Sequence, residues 1–114
     1  MIPYSHRFHG HNSLRYVYKN GDVARSRCAT LKTTPNTRRK DARVSVVVSK
    51  KVLKSAVLRN RVRRRIYEYI REVLPRITTP HDVVVIVTHS EVLTMSHEDL
   101  HAQLDQLFAQ AHLY

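Results

Sequence analysis

A single cysteine, Cys28, among 114 residues excludes an intrachain disulfide and points to a reducing compartment, with the cytoplasm as the expected location. Glycine is nearly as scarce: Gly10 and Gly21 are too few for a phosphate-cradling loop. No apolar run approaches the roughly 18 residues that would cross a bilayer, and Met1 to His11 lacks the apolar core of a secretory signal, so no membrane role is expected. The nine acids are dispersed, with no D-x-D and no paired Glu for general acid–base or metal chemistry. Most telling is what the last third lacks. Residues 77–114 contain no Lys or Arg and five acids.

All 20 Lys and Arg therefore fall in residues 1–76, against four acids, for a net charge there of +16 within a total of +11. Residues 38–65 alone hold 12 of them, with only Asp41 in opposition. Folding needs no such field, because crowded like charges repel, and a polyanion offsets that cost by releasing counterions. Nucleic acid is the first expectation; an anionic membrane surface or an acidic protein fits less well. The acidic C-terminal segment is expected to face away from the polyanion. At 42% hydrophobic residues the chain can still bury one core, and its length suits one domain.

Residues 1–12, polar and His-rich, read as an N-terminal arm ahead of one domain at 13–114. Ser13 to Asn20 predicts a short helix bearing Leu14, Val17 and Tyr18, stopped by Gly21. Residues 23–34 predict one strand, and Pro35 to Asp41 a basic turn. Arg43 to Ser49 predicts a strand from its β-branched density, covered on both faces for part of its length because Val47 is apolar as well as Val44, Val46 and Val48. Residues 55–74 predict the longest helix. About Val62, at roughly 100° per residue, Leu58, Ile66, Tyr69 and Val73 fall within about 40°, Ile70 widens the stripe, and Asn60, Arg64, Tyr67 and Arg71 lie opposite. Asp82 to Thr88 predicts a central strand buried on both faces. Ser96 is a candidate N-cap for a last helix bearing Leu100, Leu104, Leu107, Phe108 and Ala111. Two helices on one face of a small mixed sheet make a two-layer α/β sandwich.

The chemistry concentrates after the Val-rich strand. Lys50 and Lys51 close it, Lys54 follows, and Arg59-Asn60-Arg61-Val62-Arg63-Arg64-Arg65 opens the long helix. Five Arg in seven residues fan over its sides and back, where a planar fork can bind two phosphate oxygens or stack on a base. Arg65, about 60° from the stripe centre, is expected to run its stem past the core edge and leave its guanidinium in water. Asn60 can fix neighbouring side chains. A strand rather than a helix precedes this helix, which favours structured RNA over a DNA major groove. Tyr16 and Tyr18 add rings on which unpaired bases can stack, although Tyr18 suits core packing equally. Of eight His, His97 and His101 share a helical face, but no third ligand completes a metal site. Cys28 has Arg25 and Arg27 nearby, which can lower its pKa, though a strand cysteine is more often plain filler. No catalytic constellation emerges.

The segment RVSVVVSKKVLKSAVLRNRVRRRIYE, residues 43–68, resembles the hallmark of the bacterial ribonuclease P protein subunit family. Its marks are Ser49, Lys50 and Lys51 at the strand end, Ala56 closing a short connector, then Arg59, Asn60, Arg61, Arg63, Arg64 and Glu68. The likeness extends over roughly residues 7 to 110. It implies an α/β sandwich with a left-handed β-α-β crossover, against the usual hand. It also implies a non-catalytic protein subunit of an enzyme that removes the 5′ leader of precursor tRNA, with Mg²⁺ and the chemistry held mainly by the RNA subunit. By position, Lys50, Lys51, Lys54, Arg59, Asn60, Arg61, Arg63, Arg64 and Arg65 are expected to bind the catalytic RNA. Leu14, Tyr18, Arg27 and Lys32 are expected to meet the leader of precursor tRNA. Leu14 and Lys32 stand where the family is commonly aromatic, which favours phosphate contact by Lys32. A monomer within the holoenzyme is expected. A general structured-RNA-binding or ribosomal-type protein, and a protein-only nuclease, are the competing readings.

Overall fold

Valine density places the sheet. The structure, a computed structural model, describes residues 11–36, 42–77 and 80–113, with side chains from Arg15 onward in the first stretch. Its elements are α1 (His11–Asn20), β1 (Asp22–Arg25), β2 (Ala29–Pro35), β3 (Arg43–Val48), α2 (Ala56–Val73), β4 (His81–Val87) and α3 (His97–Gln110), with 3₁₀ turns at Leu74–Arg76 and Ser90–Leu93. The strands lie in the order β1-β2-β4-β3. β1–β2 and β2–β4 are antiparallel, whereas β3 and β4 run parallel, joined through α2. The near-continuous apolar run 82–87 is thus central, flanked by β2 and β3, as its composition predicts.

Side-chain alternation sorts the sheet into two faces. Leu31, Val44, Val46, Val48, Val83, Val85 and Val87 join Val62, Ile66, Tyr69, Ile70 and Val73 of α2 and Leu100, Leu104, Leu107 and Phe108 of α3 in one core. On the other face Val84 is buried under Val17 of α1, with Val47 and Ile86 packed partly against them. The two long helices share one face as expected, and α1 covers part of the other. That explains why Val47 is apolar.

Several expectations need correction. The single strand over 23–34 is two strands, reversing at Ser26–Cys28. No Gly, Pro or Asn marks that turn. Instead the Ser26 amide donates to the Ala29 carbonyl at 2.9 Å, and the Ala29 amide donates back to the Ser26 hydroxyl at 3.3 Å. α1 begins at His11, two residues earlier than Ser13; the rest of the arm, and the basic turn from residue 37 to Asp41, lie outside the described residues. Tyr67 is not on a solvent-facing back. Its ring packs partly against the core and its hydroxyl accepts from the Val46 amide at 3.3 Å, capping a free position on edge strand β3.

The helix ends follow local chemistry. Ser55 caps α2 by accepting from the Leu58 amide at 3.3 Å, and Ser96 caps α3 through the Asp99 amide at 3.1 Å. Gly21 stops α1, donating to the Val17 carbonyl at 2.8 Å; a Cβ there would lie 2.6 Å from that oxygen and 3.2 Å from the Thr33 backbone. Across the β3–β4 register Arg43 meets Asp82 in a fork of two hydrogen bonds, 2.9 and 2.8 Å, and Asn36 adds a third to the same carboxylate. Both ionic partners are largely buried, so one of the 12 clustered cations is neutralised internally.

Removing one partner of a buried pair strands the other. Asp82→Ala is therefore expected to cost about 3–5 kcal/mol, read as a lowered urea midpoint with unchanged slope. A loss below about 1 kcal/mol would show that solvent compensates Arg43.

Candidate nucleic-acid interface

The strand-to-helix connector puts cations at its tip while its apolar residues turn inward. The amides of Val52 and Leu53 both donate to the Ser49 carbonyl at 3.1 Å, and their side chains pack partly on the core. Lys50, Lys51 and Lys54 remain exposed. Arg59 then reaches back along the connector, its Nη1 donating to the carbonyls of Leu53 and Lys54 at 2.9 Å each. It locks the loop onto the helix without losing its charge. The Asn60 amide oxygen accepts from Arg63, the fixing role its position allows. Arg61 and Arg64 are exposed.

Carboxylates are what this face lacks. Ion pairs join Arg27 to Glu91, Arg43 to Asp82 and Arg71 to Glu68, at 2.7, 2.8 and 2.7 Å. None involves Lys50, Lys51, Lys54, Arg59, Arg61, Arg63, Arg64 or Arg65. The first turn of α2 contains no acid either, so its dipole adds positive potential at the same end. Val57, 64% exposed, sits within this cationic surface. Its place about 140° from the stripe centre is the signal in the sequence that puts it in water.

Arg65 departs from expectation. Its guanidinium is not left to water. Nη1 donates to the carbonyls of Val92 and Leu93 at 2.6 and 3.2 Å, and Nη2 to that of Met95 at 2.7 Å. The 3₁₀ turn at Ser90–Leu93 presents its unpaired carbonyls at this point, and a half-buried fork satisfies them.

Of the expected leader residues, the structure brings two together. Lys32 Nζ donates to the Tyr18 carbonyl at 3.2 Å and stands 5.4 Å from the Tyr18 ring centroid. Tyr18 is 39% exposed, and burial of the remainder raises its hydroxyl pKa. Val23, 44% exposed, lies opposite Lys32 in the β1–β2 register and extends the same face. Leu14 is in α1, but its side chain is outside the described residues. Arg27 is elsewhere, in the β1–β2 turn, paired with Glu91.

Cys28 is not activated by Arg27. Burial, and then the Glu91 charge, push its thiol pKa up against the lowering effects of the Ser26 hydrogen bond and Arg27. The sulfur lies 2.6 Å from the Gln103 side-chain oxygen in the core. The His97 and His101 rings lie tilted by 41° with centroids 3.9 Å apart, and His101 meets Tyr69 edge-on while Tyr69 donates to Asp105 at 2.6 Å. Tyr69 and His101 are part of the α2–α3 packing, whereas His97 is exposed. Among the described residues no three His, Cys, Asp or Glu converge as metal ligands, and no helix is long and apolar enough to cross a membrane.

A mixed four-stranded sheet carrying a helix whose N-terminal half bears arginines with no carboxylate partner among the described residues defines a small RNA-binding α/β protein. The family model for Ribonuclease P matches residues 2–112. A ribonuclease P protein component from a Pseudanabaena species is 31% identical, covering 97% of this chain and 95% of its own. Another from Chloroflexus aurantiacus is 34% identical, over 94% and 78%. Among solved structures, a Staphylococcus aureus RNase P protein mutant superposes with a TM-score of 0.87 at 25% identity, covering 96% of this chain and 91% of that one. The Thermotoga maritima RNase P protein shares the fold at a TM-score of 0.80 and 20% identity, over 91% and 96%. The chain belongs to the ribonuclease P protein family, whose enzyme acts in tRNA 5′ processing.

Two measurements separate the roles of neighbouring residues. Arg65→Ala is expected to lower stability by about 2 kcal/mol in urea unfolding, through the lost charged hydrogen bonds. Arg64→Ala, fully at the surface, is expected to change it by less than about 0.5 kcal/mol. Cys28 is expected to react with a thiol reagent far more slowly in the folded protein than in urea at the same pH; equal rates would show an open thiol.

Proposed function

We propose that this chain is the non-catalytic subunit of a ribonucleoprotein endoribonuclease, docking the catalytic RNA through the N-terminal half of α2 and the leader of precursor tRNA beside α1. The observation that carries this reading is the run of cations from Lys50 to Arg65 without one carboxylate partner among the described residues. Lys50, Lys51 and Lys54 supply mobile point charges at the connector tip, and Arg61 and Arg64 supply free forks on the helix. Arg59, Asn60 and Arg63 are pre-set by hydrogen bonds to their own chain, so little order is lost when phosphates arrive. Arg65 supports the face from behind. At the second surface, Lys32 held against Tyr18 presents an ammonium to a leader phosphate.

Mg²⁺ belongs to the RNA in this scheme. A divalent hard cation needs clustered oxygen ligands, and the proposed interface offers cations instead. The chain's contribution to the reaction is positional: it neutralises backbone phosphates and holds the single-stranded leader near the scissile bond. The soluble, reducing interior of a bacterial cell is the proposed location.

Purified protein mixed with precursor tRNA, Mg²⁺ and a bacterial ribonuclease P RNA is expected to stimulate leader removal at physiological salt. The protein alone is expected to cleave nothing. Cutting without the RNA would overturn the division of labour, and binding without site-specific cutting would favour a general RNA-binding role. Replacing Arg61 and Arg64 together by Ala is expected to weaken RNA-subunit binding and flatten its log–log salt slope by about 1–2, while the urea midpoint hardly moves.

A further inference from the structure

The proposed function uses one flank of α1 and leaves the other unexplained. Tyr16 lies about 200° around the helix from Tyr18. It is 59% exposed, with no side-chain hydrogen bond or ring contact to any described residue. Arg15 precedes it and Lys19 follows one turn on, both exposed, and α1 contains no acid. Core packing does not account for an aromatic ring in this setting, since among the described side chains of α1 it is Val17 that carries the buried face. A ring bracketed by cations matches what an unpaired base requires: a flat surface for its face and a positive charge for the adjoining phosphate.

We propose that Tyr16 stacks on an unpaired base of the 5′ leader, upstream of the stretch held at Tyr18 and Lys32, with Lys19 neutralising the neighbouring phosphate. The inference rests on the leader-binding reading of the α1 groove. The strand concerned is the leader because α1 and the cationic half of α2 pack on opposite faces of the sheet. The Tyr16 ring and the Tyr18–Lys32 contact lie on opposite flanks of α1, so a strand that reaches both crosses this helix.

The test measures the affinity of the reconstituted holoenzyme for precursor tRNAs with long and with short leaders. Tyr16→Ala is expected to weaken long-leader binding about tenfold and to leave short-leader binding and the salt slope unchanged. Tyr16→Phe, which keeps the ring, is expected to bind as the parent does. Lys19→Ala is expected to lower the slope for the long leader by about 0.7. Full affinity in Tyr16→Ala, or equal losses on both substrates, overturns the proposal. Tyr18→Ala and Lys32→Ala separate this outcome from failure of the groove reading. If they reduce leader-dependent affinity while Tyr16→Ala does not, only the Tyr16 contact is wrong; if none of the three does, the leader does not use this face.

Discussion

The apolar stripe of Val62, Ile66, Tyr69, Ile70 and Val73 seats α2 on the sheet, and by doing so leaves Arg61 and Arg64, away from that stripe, in solvent. The arginines interleaved with that stripe cannot retreat into a core, and among the described residues Arg59, Arg61, Arg63, Arg64 and Arg65 have no carboxylate partner. Burial holds together a surface that electrostatics alone would disperse. A flexible tail of the same composition would bind a polyanion too, but it would lose much more conformational freedom on doing so.

Within one short stretch, arginine does three different things. Arg43 is spent inside the protein, locking two parallel strands through Asp82. Arg59 and Arg65 bind backbone carbonyls, one fastening the connector to the helix and the other fastening the turn after β4. Because a carbonyl is neutral, both keep their charge while acting as struts. Arg61 and Arg64 have no such duty and stand open. The guanidinium group permits this mixture: five donors in a fixed plane can satisfy a loop and still present positive potential outward. Lysine, which ends the strand and tips the connector, would not brace the loops in the same way.

Much of this was legible before any coordinates. β-branched density located β3 and β4, periodicity gave the stripe of α2, and the absence of cations after residue 76 separated a basic from an acidic part of the chain. The β1–β2 reversal was not legible, because a serine hydroxyl makes the turn that glycine or asparagine would have announced. Tyr67 and Arg65 were misread for a shared reason. Helical angles report distance from the stripe, but not the edge strand or the 3₁₀ turn that happens to pass beside the helix. Of the expected leader residues, Tyr18 and Lys32 meet across α1 and β2, whereas Arg27 lies in the β1–β2 reversal beside Glu91, a placement that the sequence did not announce.

The placement of β4 at the sheet's centre has a temporal consequence. β2 and β3 are neighbours in sequence but not in space; each pairs with a strand that begins only at His81. As the chain emerges from a ribosome, N-terminus first, α2 is complete well before the strand that joins the two halves of its platform. All of its cations are therefore translated before a rigid surface exists to carry them. Specific docking must wait for the last third of the polypeptide, and the acidic segment that supplies the missing strand also ends the interval in which the basic helix is unseated.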